Sequence, residues 1–116
     1  MGIRDSILSA QDTELRGPFK EWGIDVWIRN MSGAERDAFE GSIVSTRKKK
    51  REIDTNNFRA KFLVRTIADE KGQRVFADED ADALGQKDSK TITRLFDIAQ
   101  EVNGLSPEDV EELEKN

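Results

Sequence analysis

Residues 15–29 read Leu15-Arg16-Gly17-Pro18-Phe19-Lys20-Glu21-Trp22-Gly23-Ile24-Asp25-Val26-Trp27-Ile28-Arg29, and their pattern decides the fold class. Ile24, Val26 and Ile28 fall on one alternation parity and Asp25, Trp27 and Arg29 on the other, the period of a half-buried strand. Leu15 and Phe19 share a parity in the stretch before. Two strands joined through Glu21-Trp22-Gly23 follow, with Gly23 supplying the positive φ of the turn. Pro18 has no N–H to give to a ladder, so the first strand belongs at a sheet edge. Trp22 and Trp27 read as hairpin-packing residues rather than ligand-stacking ones.

Outward from this hairpin the spacing turns helical. Ile3, Ile7 and Leu8 predict a short N-terminal helix through about Ala10. After the hairpin, Ser32 and Glu35 form a capping box, and Ala38, Phe39 and Ile43 provide the inward face of the helix it starts. Gly41 lies inside that helix and weakens its far end by about 1 kcal/mol relative to alanine. Phe58, Phe62, Leu63 and Ile67 mark a further helix, expected to be the most buried. Lys71-Gly72 is a turn, and Val75-Phe76 suit a short third strand. Asp78 is placed to cap a brief helix carrying Ala81 and Leu84, ended by Gly85. Ile92, Leu95, Phe96, Ala99 and Val102 recur at the cleanest helical spacing in the chain, closed by Gly104. Ser106-Pro107 starts a last helix, proline standing where its missing N–H is harmless. Val110 and Leu113 are its only large apolar residues. The expected architecture is α+β: a mostly helical single domain over 1–116 with a small antiparallel hairpin or sheet, and Phe62, Leu95 and Phe96 in its core.

Of the 116 residues, 35% are hydrophobic and 37% charged, a balance that permits a modest core only. The net charge is −5, but Arg47, Lys48, Lys49, Lys50 and Arg51 hold +5 of it, so the rest of the chain carries −10. That field opposes nucleic-acid or anionic-membrane binding by the chain as a whole. No apolar run approaches the ~20 residues of a membrane span, and nothing reads as a signal peptide. The chain is expected to work in a cytoplasm. The stretch 46–57, basic and then Asp54-Thr55-Asn56-Asn57, breaks the helical pattern and reads as a loop or mobile connection. Its basic run is open to three readings: a solvated loop, a contact for an acidic protein partner, or a nucleic-acid contact. The last is disfavoured because no aromatic is interleaved.

Cysteine, histidine and tyrosine are all absent. Disulfides, thiolate chemistry and cysteine-based metal sites are thereby excluded, and acid–base work would fall to carboxylates or lysines. The acidic clusters Asp78-Glu79-Asp80 with Asp82, and Glu108-Asp109 with Glu111-Glu112, sit at helix starts, where carboxylates favour the positive end of the dipole. They lack the ligand spacing of a calcium loop. No glycine-rich phosphate loop is present. A non-enzymatic binding protein without cofactor or metal is the expectation.

Certain strings go further: Glu21-Trp22-Gly23, Val26 to Arg29, and Met31-Ser32-Gly33-Ala34-Glu35-Arg36-Asp37-Ala38-Phe39-Glu40. With them go Ala83-Leu84-Gly85 and Asn103-Gly104-Leu105-Ser106-Pro107-Glu108-Asp109-Val110-Glu111-Glu112. Their order and spacing resemble the tail assembly chaperone family of long-tailed, siphovirus-type bacteriophages over nearly the whole chain. The tract around Arg47–Asn57 matches least well. The resemblance implies a partner, the tape measure protein, a long and largely helical chain that sets tail length. Such chaperones keep it soluble until tube subunits polymerise around it, and they are missing from the finished virion. The resemblance also implies two translation products, the longer one made by ribosomal slippage and recruiting the tail tube protein. Glu114-Lys115-Asn116 is compatible with a slip-prone A AAA AAC or A AAA AAT. Arg47, Lys48, Lys49, Lys50, Arg51, Val110 and Leu113 are the candidate partner-binding residues, on a chain expected to be monomeric or weakly self-associating. The competing readings are a structural tail or connector protein retained in the particle, and a small nucleic-acid-associated regulator using Arg47–Arg51.

Overall fold

The computed structural model describes residues 2–47, 50–53, 56–106 and 108–109. The chain opens with helix α1 (Ile3–Ser9), followed by strands β1 (Leu15–Glu21) and β2 (Ile24–Arg29). Helix α2 (Gly33–Ile43) leads directly into β3 (Val44–Arg47) and β4 (Lys50–Ile53), and α3 (Phe58–Thr66) into β5 (Ile67–Ala68). A 3₁₀ turn (Asp78–Asp80) feeds α4 (Ala81–Leu84), and α5 (Ser89–Val102) closes the described core. The α+β expectation is borne out.

The hairpin forms as its alternation dictates. β1 and β2 pair antiparallel from Glu21↔Ile24 to Leu15↔Arg29, with the register shifting between Arg16 and Phe19 around the cis Gly17-Pro18 peptide. In the sheet order β1-β2-β5 the proline strand lies at the edge, as the missing N–H requires. Val26 and Ile28 are buried on the inner face. Gly17 holds a φ of +143°, and a Cβ there would lie 2.8 Å from Cδ1 of Trp27. The half-buried indole of Trp27 thus packs on the glycine, a hairpin-packing role. Gly23 has φ +76°, and Trp22 beside it also takes a positive φ of +54°. This is the two-residue type I′ pattern, which suits the strand twist but favours Asn-Gly over Trp-Gly. A left-handed bulky residue costs about 1–2 kcal/mol.

Three helices pack on the hairpin's inner face through one aromatic cluster. Phe39 of α2 meets Phe58 and Phe62 of α3 at 5.6 and 5.2 Å, and Phe96 of α5 meets the same two rings at 5.9 and 5.5 Å. All four contacts are edge-on, the arrangement that the ring quadrupole favours. In α3, seven of nine residues are buried, so it is the central helix, as expected. On α5, Ile92, Leu95, Phe96, Ala99 and Val102 are all buried. Its end is a Schellman motif: Leu105 N–H reaches the Gln100 carbonyl at 2.9 Å, Gly104 N–H reaches that of Glu101, and Gly104 has φ +65°. That satisfies carbonyls the helix leaves open.

Several local expectations are corrected. Ala38 is exposed, because the inner stripe of α2 is set by Phe39 and Ile43, one helical turn apart. Ile67 is not helical; α3 stops at Thr66 and Ile67 pairs with Ile28. The third strand is therefore Ile67–Ala68, not Val75-Phe76. Arg74 only bridges to Ala68, and Val75 is exposed. Asp78 does not cap: the Ala77 N–H is held by Asp80 at 2.8 Å, while Asp78 binds Arg65 and Arg74. The basic tract read as a loop is carried largely on β3 and β4, antiparallel with Val44↔Ile53 and Arg47↔Lys50 in register. The β-branched Val44, Thr46 and Ile53 favour strand there, although the charge pattern alone suggested a loop.

Candidate partner-binding surfaces

Polar ties along its margin make the domain rigid. Ser32 and Glu35 form the expected capping box, the Glu35 N–H donating to Ser32 Oγ at 3.1 Å and the Ser32 N–H to Glu35 Oε1 at 3.0 Å. The same carboxylate takes a forked pair of hydrogen bonds from Arg29 of β2, at 3.2 and 2.5 Å. Arg29 beside it holds the Glu35 carboxyl down to about 2, against the opposing effect of burial. The Arg29 Nε–H is buried without a partner. Asn103, capping α5, accepts from the Met31 N–H at 2.7 Å and donates to the carbonyls of Arg29 and Ala99. Along the other side, Arg94 clasps Glu21 at 2.7 and 2.8 Å, and Arg16 reaches Glu101 at 3.1 Å. The Arg94 hydrogen bond holds the Glu21 carboxyl below the usual carboxylate range.

No catalytic constellation emerges from this geometry. A cavity of about 210 Å³ has Arg65 and Asp78 in its wall, already bound to each other at 2.9 Å. Arg74 lowers the Asp78 carboxyl most strongly, with Arg65 adding its charge. A second cavity, about 370 Å³, lies between the starts of α3 and α5. Asn57 closes one end: its Nδ2 donates to the Ala81 carbonyl at 2.7 Å, and its amide occupies the space a side chain on Gly85 would need. Glycine at 85 is thus required by close approach. Among the described residues, no three acidic side chains converge in a way that could hold a metal ion, and no helix is long and apolar enough to cross a membrane.

The candidate residues named from sequence fall into two groups. Arg47, Lys50 and Arg51 are brought together on the β3–β4 ribbon, which forms a sheet of its own. Lys48, Lys49, Val110 and Leu113 lie outside the described residues, as does most of the helix expected from Ser106. Its start is present: the Asp109 N–H donates to Ser106 Oγ at 3.0 Å and the Ser106 N–H to Asp109 Oδ2 at 3.1 Å.

Sequence reasoning missed a different surface, the exposed apolar one. Ile3, Ile7 and Leu8 of α1 are 80, 65 and 68% exposed, and that helix buries nothing. At the hairpin tip, Trp22 is 41% and Ile24 60% exposed. The available signal was a tryptophan in a two-residue turn, where packing has little to offer it.

A small α+β domain whose cavities are lined by mutually paired charges, and whose spare apolar side chains point outward, belongs to the class of protein-binding modules. The family is specific: the phage tail assembly chaperone model matches residues 7–116, and the chain belongs to that family. No curated protein and no solved structure matches it.

Proposed function

We propose that this chain binds the tape measure protein of its phage in the host bacterial cytoplasm, keeps that long helical protein soluble, and is absent from the mature virion. The single observation carrying this reading is the family match over residues 7–116. A rigid core with outward apolar side chains suits such a partner, since exposed helix stripes are sheltered by apolar surface on a small charged carrier. The net charge of −5 keeps coated complexes apart. In this reading the basic run Arg47–Arg51 attracts acidic segments of the partner and speeds encounter. Val110 and Leu113 add apolar contact near the C-terminal end. Tail tube subunits are recruited through a longer, frameshifted product that shares this domain. The chain has no catalytic task.

Co-expression tests the reading. The tape measure protein of the same phage should move from the pellet to the soluble fraction when this chain is present, and the two should co-purify. Mass spectrometry of purified virions should find the tape measure protein and not the chain. An insoluble tape measure protein in both cases, or the chain at stoichiometric amounts in virions, would overturn it.

A further inference from the structure

The two tryptophans of the hairpin have opposite settings. Trp27 packs on Gly17 in the middle of the sheet, whereas Trp22 stands at the tip with φ +54° and much of its indole in solvent. A strained backbone at a bulky residue is ordinarily over-determined by packing around it. Here the chain itself supplies only part of that packing. Ile24, directly across the register from Glu21, shares its face of the sheet. Because Glu21 is clasped by Arg94, that face adjoins the first turns of α5. There an open slot of about 560 Å³ runs along α5 between Ser89 and Ile98.

Charge selects the occupant. The formal charges around the tip are matched among themselves: Lys20 with Asp25 at 2.9 Å and Arg94 with Glu21 at 2.7 Å. Lys90 and Asp97, which also line the slot, cancel. The surface is neutral and partly apolar, so it has no attraction for a polyanion or an acidic tail; the β3–β4 ribbon, rich in cations, is where those would go. We propose that Trp22 and Ile24, with the adjoining stripe of α5, seat the apolar stripe of one helical partner segment. This rests on the tape-measure reading and names the surface that performs it. Tryptophan contributes disproportionately to such contacts, and an apolar helix stripe in a shallow groove is a recurrent recognition mode.

The test uses the double variant Trp22→Gly/Ile24→Thr. Glycine accepts the positive φ without strain and threonine keeps the strand preference, so the urea midpoint should be unchanged or higher. Binding is measured to overlapping synthetic peptides covering the tape measure protein of the same phage. At least one peptide should bind the unaltered chain and lose tenfold or more in affinity with the double variant. It should protect residues 20–25 and 89–98 from hydrogen exchange. Lys50→Glu/Arg51→Glu should cost less than the double variant at high salt. Equal affinity of the double variant, protection confined to the β3–β4 ribbon, or a concentration-dependent dimer abolished by Trp22→Gly would each overturn the proposal while leaving the tape-measure reading in place. An unaltered chain that binds none of the peptides removes both.

Discussion

Helices α1 and α5 are read from sequence by the same sign, apolar residues recurring at three- and four-residue spacing. In the fold they share little. α5 buries six side chains and is tied at both ends, by Asp88 accepting from the Thr91 N–H and by the Schellman motif at Gly104. α1 buries none, and its Ile3, Ile7 and Leu8 lie open. Periodicity reports that a helix has an apolar face. It does not report what covers that face. A helix as short as α1 gains little from its own hydrogen bonds, so its worth lies in what else its stripe can touch.

The largest effect should come from the covered side of this comparison. Phe96 touches both Phe58 and Phe62, and Phe96→Ala should lower stability by about 3–5 kcal/mol in urea unfolding. A loss under about 1 kcal/mol would mean that the aromatic cluster is not the centre of the fold.

Between core and periphery stands the polar clasp of Arg29 on Glu35. Because the folded-state carboxyl is held down to about 2 from 4.5, the unfolded chain binds the proton more readily. The clasp's contribution is therefore complete above about pH 4.5 and is lost as pH falls toward 2. With partial exposure of the pair discounted, the effect is about 1–2 kcal/mol. Glu35→Gln keeps the capping box, in which glutamine serves as well, and removes only the charge. The stability gap between the two proteins should close by that amount between pH 6 and pH 2, a figure set by the same linkage. A gap independent of pH would show that the clasp contributes shape rather than charge.

The smallest effect belongs to α1. Ile7→Ser should change stability by less than about 0.5 kcal/mol, the range of surface substitutions. Backbone amides of α1 should also exchange far faster than those of α5. Equal protection in the two helices would break the comparison outright, since α1 would then be covered by something in solution.

Much of this protein follows from its sequence alone. The hairpin, its edge-strand proline, the capping box at Ser32 and the buried stripes of α3 and α5 all rest on interactions spanning a few residues, so local spacing carries them. The positive φ of Gly23 belongs with these, because a two-residue hairpin turn demands it. The family resemblance, shown over residues 7–116, also lay in ordered local strings. What only the tertiary structure decided is what depends on distant partners. Ile67 left its helix to pair with Ile28, displacing the strand expected at Val75-Phe76. Asp78 turned to Arg65 and Arg74 instead of capping. Ala38 faced solvent, and Trp22 and Ile24 were left uncovered at the tip. A strand pair or an ion pair joins residues whose separation along the chain says nothing of their separation in space, and burial depends on neighbours brought in from elsewhere in the chain.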